Sequence, residues 1–316
     1  MPPFPKPSFA YDYSLAPEIQ RLRLHKTARG IPDRSAGTLL LATWNIANLG
    51  VQQRREKDRR LLAEILSWFD IVAIQEVNSN WTHLRDIELN LLGAPYRVLV
   101  SDAAGNNERM AFLYDASKVS PLQLVGEVAF PPSEYAKVKS SGIGGQFKGF
   151  DRTPYFATFA CGSFTFTLAN VHLYYGSESK KDMDRRTLET LAVARWAARE
   201  STTSYSFTRD IIALGDFNMP KAAPGDPIYK ALTSRGLELP LHSSEVGSAI
   251  ASDNHYDQIA FFPGNTKNDF TGLKGVFDFD KVVFPDLWQA HQKNFFAYAR
   301  YFVSDHRPMW TQFRTT

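Results

Sequence analysis

A single cysteine, Cys161, stands among 316 residues. That excludes an intrachain disulfide framework and fits a reducing compartment. It lies in the apolar run from Tyr155 to Phe166, where a buried structural thiol is the expectation. No apolar run approaches the roughly 18 residues needed to cross a bilayer. The opening MPPFPKPSFAYDYS lacks a basic stretch followed by an apolar one, so no secretory leader is expected. Charge of one sign is scarce as well: 36 basic residues face 33 acidic ones, a net charge of +3. Without a global field, contact with a polyanion must come from a local patch. No repeat period and no long low-complexity linker is visible. The expectation from these absences is a cytoplasmic protein with no membrane partner and no obligate protein partner.

Core-forming material is abundant. Hydrophobic residues make up 44% of the chain, including 23 Phe, 13 Tyr and 6 Trp, enough for a large folded body. Residues 1–38 are rich in proline and basic residues around one helical segment, Pro17 to Thr27, and read as an N-terminal extension packed on the main domain. Residues 39–316 read as one domain. Within it, short apolar runs end in polar residues: Leu39–Trp44 before Asn45, Ile71–Ile74 before Gln75 and Glu76, and Phe166–Val171 before His172. Ile211–Gly215 precedes Asp216, Phe217 and Asn218, and Tyr301–Val303 precedes Ser304, Asp305 and His306. Runs of this length without clean alternation predict strands covered on both faces. Apolar residues at helical spacing over 56–69 and 184–199 predict helices between them. The sum is an α/β (α+β) fold, a four-layer sandwich of two packed mixed β-sheets flanked by helices.

A polar head just past a buried strand is held rigidly while it reaches solvent, which is how such folds build sites. Taken singly, each of these residues has an ordinary explanation as a turn former, a solvated strand end or a structural histidine. As a set, Asn45, Glu76, His172, Asp216, Asn218, Asp257, Asp305 and His306 supply four carboxylates, two carboxamides and two imidazoles. Hard oxygen donors suit Mg²⁺, with Mn²⁺ or Ca²⁺ as alternatives, and the imidazoles add proton-transfer capacity.

These segments resemble the endonuclease/exonuclease/phosphatase superfamily over residues 39–316, in its motif order: TWNIANL at 43, IVAIQEV at 71, NVHL at 170, GDFN at 215, HYDQI at 255 and SDHRP at 304. The resemblance implies a metal-dependent phosphoesterase in which Glu76, with Asn45 and Asp305, binds the metal. It implies that Asp216 and Asn218 contact the scissile phosphate and orient water, that His306 lies beside the phosphate, and that Asp257 fixes its ring. Two further matches are similar to the deoxyribonuclease I branch: Glu108 and Arg109 in GNNERMAFLY, with Glu108 partnering His172, and Arg152 in DRTP as a phosphate-binding arginine. Two departures weigh against duplex-groove binding: Asn78 stands where that branch has a DNA-contacting arginine, and Asn106 where it has a groove-stacking tyrosine.

The function so implied is a nuclease hydrolysing phosphodiester bonds of DNA, or secondarily RNA. The alternatives are a phosphatase or phosphodiesterase acting on inositol phosphates, phospholipid headgroups or nucleotides, and an inactive binding scaffold of the same fold. Lys180, Lys181, Arg185 and Arg186 begin a predicted helix and read equally as a solvated face or a phosphate-contacting patch. The glycine-rich stretch 140–149 reads as a mobile loop. The aromatic-rich segment 264–296 has no functional reading.

Overall fold

The computed structural model describes residues 3–242, 244–252 and 254–316. In chain order the strands are β1 (Thr38–Leu49), β2 (Ile71–Asn78), β3 (Tyr96–Val100), β4 (Glu108–Asp115), β5 (Ser120–Glu127) and β6 (Tyr155–Cys161). Then come β7 (Phe164–His172), β8 (Ile211–Asp216), β9 (Asp257–Phe261), β10 (Phe270–Val276) and β11 (Met309–Arg314). The helices are α1 (Leu15–Ala28), α2 (Glu56–Leu66), α3 (Thr82–Asp86), α4 (Lys180–Thr202), α5 (Pro227–Thr233) and α6 (Pro285–Phe302). One sheet has the order β10-β11-β1-β2-β4-β3 and the other β5-β6-β7-β8-β9. The pairs β1/β2 and β7/β8 are parallel and their neighbours antiparallel, so both sheets are mixed.

Alternation along each strand sends successive side chains to opposite faces. Leu39 and Leu41 of β1, Ile71 and Ala73 of β2 and Phe112 of β4 meet Phe159, Phe166, Leu168, Ile212 and Ile259 in a core between the sheets. The intervening residues, Leu40, Ala42, Trp44, Val72 and Ile74, pack outward against α2 and α6. Ala169, Val171 and Ala213 of the second sheet pack outward against α4 and α5. These are the four layers that the apolar runs predict, with helices outermost.

The region before β1 is tied to the body by specific contacts. Leu22 of α1 is fully buried, His25 Nε2 lies 2.7 Å from Asp278 Oδ1, and the Tyr13 hydroxyl donates to Asp58 Oδ1 at 2.8 Å. The Phe284 amide donates to Glu18 Oε2 at 3.0 Å. One expected strand is overturned: Tyr301 and Phe302 end α6, and the SDHRP motif follows a helix. The apolar positions of α6, Leu287, Phe295, Tyr298, Ala299 and Phe302, are buried at helical spacing. A three-residue run carries too little periodicity to tell the two conformations apart. Among the described residues no helix is long and apolar enough to cross a membrane.

Candidate active site

β2 is interrupted where the chemistry begins. Its register against β4 shifts between Ile74 and Val77, and the register of β1 against β2 shifts between Asn45 and Leu49. A bulge re-aims side chains at the end of a ladder. Here it puts Glu76 in the left-handed region, with φ of +59°, and Asn48 at +48°. Asparagine tolerates that conformation. For glutamate it costs on the order of 1 kcal/mol, a strain retained where surrounding structure over-determines it. The Glu76 carboxylate accepts from the Asn45 side chain at 3.1 Å and from the Asn48 amide at 2.9 Å, and it is buried.

At the end of β8, Gly215 has φ of +130°, and a Cβ there would collide with the Val171 carbonyl of the adjacent parallel strand. Only glycine allows this approach. It delivers Asp216 opposite His172 in register, with Asp257 opposite Asp216 on β9. Asp216 Oδ1 accepts from the Asn218 amide at 2.8 Å, and Asp216 Oδ2 accepts from the Asn45 carboxamide at 3.1 Å. Asn218, with φ of +51°, donates its side-chain amide to the Leu173 carbonyl at 2.8 Å.

The two histidines face each other across Asp216. His172 Nε2 lies 3.7 Å and His306 Nε2 3.9 Å from Asp216 Oδ2. Each ring turns its other nitrogen to a carboxylate: His306 Nδ1 is bonded to Asp257 Oδ2 at 2.7 Å, and His172 Nδ1 approaches Glu108 Oε2 at 3.1 Å. A carboxylate at Nδ1 fixes both orientation and tautomer. Burial alone would lower the His306 pKa, but Asp257 and Asp216 outweigh it and hold the imidazole well above its usual range. Burial raises Asp257 despite its bond to His306. For Glu108 burial is outweighed by His172 and Arg152, which hold its carboxyl at about 2. Asp216 is likewise held low, burial notwithstanding, by His306 and His172.

A second group is built from oxygen. Asp305 is pushed up to about 6 by burial, with the carboxylates of Glu76 and Asp216 adding to the shift against His306. Asn45 Oδ1 is buried without a hydrogen-bond partner, while both protons of its amide are used on Glu76 and Asp216. A buried acceptor and mutually repelling carboxylates fit a hard divalent cation, whose charge would satisfy all of them. Asp216, Asp257 and His306 also offer ligand atoms within 4.8 Å of one another, a buried Asp/Asp/His cluster. Because Asp257 and His306 already share a short hydrogen bond, that trio reads as an oriented imidazole beside the oxygen group.

The structure therefore brings together Asn45, Glu76, Glu108, His172, Asp216, Asn218, Asp257, Asp305 and His306. It does not bring Arg109 to them: its guanidinium donates to the carbonyls of Ser79 and Ser101. As Glu108 points toward His172, its strand neighbour takes the opposite face. Arg152 adjoins the site, but Nε and Nη2 donate to the carbonyls of His172 and Leu173 at 2.8 and 2.9 Å and brace the β7 terminus. Several supporting residues escape sequence reasoning. The buried Arg54 donates to the carbonyls of Ala47, Phe302 and Val303, joining β1 to the end of α6. Ser304 Oγ donates to the Asn45 carbonyl and accepts from the Ala47 amide. Gln75 donates to Asn170 Oδ1 at 2.6 Å across the two sheets. The signal for the last pair lies in their motifs, each sitting beside a site residue; Arg54 follows the first motif with no distinguishing spacing.

No family model matches the chain. A curated relative named "Deoxyribonuclease", from Thioalkalivibrio sp. (strain K90mix), is 29% identical over 296 residues, covering 90% of this chain and 73% of its own. Among solved structures, D. rerio TDP2 complexed with single strand DNA product aligns at a TM-score of 0.58 with 15% identity, over 87% of this chain and 98% of that one. The endonuclease/exonuclease/phosphatase from Bacteroides vulgatus aligns at 0.57 with 16% identity, over 87% and 98%. The chain therefore shares the two-sheet fold of these structures and is similar to the curated deoxyribonuclease along nine-tenths of its length.

Proposed function

We propose that the chain is a divalent-metal-dependent phosphodiesterase that hydrolyses nucleic-acid phosphodiester bonds, DNA before RNA. The observation that carries this reading is the pair of imidazole Nε2 atoms, each within 4 Å of Asp216 Oδ2, beside an oxygen group in which the buried Asn45 Oδ1 has no hydrogen-bond partner. Phosphodiester hydrolysis needs a water aimed in line with the leaving oxygen and compensation for charge on the non-bridging oxygens. Glu76, Asp305 and Asn45 would hold the cation, Mg²⁺ by its preference for such oxygens, and its chemistry would be Lewis-acid polarisation of the phosphoryl group. Asp216, locked by the Asn218 amide and the Asn45 carboxamide, orients the attacking water. His306 stays protonated beside Asp257 and Asp216 and donates to a phosphoryl oxygen, with a preorganised donor of this kind worth roughly 3 kcal/mol. His172 faces the same centre from the other side and is oriented by Glu108. The names of the relatives, a deoxyribonuclease and a protein bound to a DNA product, support nucleic acid as the substrate class.

The test is incubation of the purified protein with plasmid, single-stranded DNA, RNA and phosphatidylinositol phosphates, each with Mg²⁺, Mn²⁺, Ca²⁺ or a chelator. Strand scission that chelation abolishes, and that Asp216→Asn and His306→Ala reduce by at least about two orders of magnitude, is expected. Orthophosphate release without scission would assign the same centre to a phosphatase. No turnover under any metal would refute the enzyme.

A further inference from the structure

The glycine-rich stretch and the start of α4, separate features in the sequence, together enclose a cavity of about 620 Å³. That lies within the roughly 300–1,000 Å³ of small-molecule sites. The loop over it is built to shape. The Gly144 amide donates to Asp184 Oδ2 at 3.0 Å, a Cβ on Gly144 would crowd the same oxygen, and Gly145 has φ of +77°. Phe147 anchors the loop, buried edge-on against Phe150 and Tyr135. The loop contacts the body at both Gly144 and Phe147, forming a strap over the cavity.

The charges in this cavity do not cancel. Its two carboxylates are already engaged: Asp184 holds Lys180 at 2.6 Å and the Gly144 amide, and Glu189 accepts from the Tyr174 and Asp151 amides and from Arg185. Lys148 on the strap and Lys181 on the helix have no acidic partner among the described residues. Two cations therefore face one apolar-floored cavity, the floor being Phe147, Phe150 and Leu188.

The cavity is also tied to segments that adjoin the active site. Glu189 and Arg185 bind the backbone or side chains of Asp151 and Tyr174. Arg152 is adjacent to Asp151, and His172 lies two residues before Tyr174. The cavity-lining Glu189 thus holds the backbone two residues beyond His172 and one residue before Arg152. Resting on the nuclease reading above, we propose that this cavity receives an unpaired nucleotide of the substrate strand next to the cleaved bond, its phosphate held by Lys148 and Lys181 and its base laid against the apolar floor. An unpaired strand fits where a duplex does not, because only a free base can leave the stack and enter a walled cavity.

The test is binding and turnover with the double variant Lys148→Gln/Lys181→Gln in the full chain. Fluorescence anisotropy with a labelled single-stranded 12-mer, in chelator so that nothing is cut, reads the salt dependence of the binding constant. Loss of the contacts to this phosphate should reduce the slope of log K against log salt by about 0.7, the value per neutralised phosphate of a single strand. Affinity should fall about tenfold at low salt, affinity for a duplex of the same sequence less than twofold, and hydrolysis of bis(p-nitrophenyl) phosphate with Mg²⁺ should not change. An unaltered slope, or equal losses on the oligonucleotide and the small diester, overturns the proposal. Wild-type protein that hydrolyses the small diester but binds no oligonucleotide overturns the nuclease reading instead, and one that hydrolyses neither overturns the phosphodiesterase assignment itself.

Discussion

At His306 the neighbouring carboxylates decide what the ring does. Asp257 touches Nδ1 and no reacting atom, so whatever it contributes passes through the imidazole. Asp257→Asn keeps an acceptor at that nitrogen while removing the charge that stabilises the imidazolium, and should lower kcat by about 10- to 100-fold, as outer partners of functional histidines do. His306→Ala should cost at least as much, and the double variant no more than His306→Ala alone, since two residues acting as one unit are not additive. Steady-state kinetics on the three variants decides this, and independent, multiplying losses would place Asp257 in contact with substrate. Glu189, in the lining of the cavity, makes a separate prediction about stability. Burial holds its carboxyl at about 7, against 4.5 in an exposed chain, opposed by the Tyr174 and Asp151 amides and by Arg185. Between those pH values the folded state binds the extra proton, so this group's contribution is full at low pH and is lost as pH rises through 7. Glu189→Gln is neutral throughout and should gain on wild type as pH goes from 5 to 8, measured by urea unfolding at each pH; parallel curves would show that Glu189 does not titrate there.

The elements around the site are chosen by backbone demands as much as by side chains. Gly215 is the sharpest case, because β8 can run beside β7 and still turn Asp216 toward His172 only if position 215 has no Cβ. Gly215→Ala should destabilise the fold by at least about 3 kcal/mol, combining a left-handed backbone with a collision against a carbonyl in the parallel ladder. A soluble variant with a wild-type urea midpoint would contradict that account. What the sequence revealed follows the same division. Strands β1, β2, β7 and β8 were legible because each is a run of apolar residues long enough to be covered on both faces, and their ends marked Asn45, Glu76, His172 and Asp216. The end of α6 was not, since three apolar residues serve a strand or a helix equally well. Nor were the orientations of Arg109 and Arg152, because which carbonyls a guanidinium meets depends on segments far away in the chain. Arg54 was invisible for the same reason, its acceptors lying some 250 positions on, at Phe302 and Val303.

Across the whole molecule, the site is a seam between two sheets. Asn45 and Glu76 come from the first sheet and His172, Asp216 and Asp257 from the second, with Gln75 bonded to Asn170 directly across the gap. Folding therefore assembles Glu76, Asp216 and Asp305 together, and burial, with repulsion from the neighbouring carboxylates adding to it, is why Asp305 sits at about 6. A cation that binds only this assembled set must stabilise the entire fold by mass action, by about 2.7 kcal/mol at a concentration of 100 Kd. With an unfolding entropy of about 2.1 cal/mol/K per residue, that corresponds for a chain of this size to a rise in Tm of roughly 4 °C on going from chelator to Mg²⁺ at that concentration. Asp305→Asn should behave in two opposed ways. In chelator it removes one of the repelling charges and should melt at or above the wild-type temperature, while in Mg²⁺ it should lose most of the metal-dependent rise. Glu76→Gln should lose that rise too, whereas Lys148→Gln, outside the oxygen group, should keep it in full. Differential scanning calorimetry across a Mg²⁺ titration reads all four proteins on one scale. A wild-type Tm indifferent to every divalent ion would mean that the repulsion at Asp305 is relieved by protonation alone, and that the oxygen donors at this seam hold no metal.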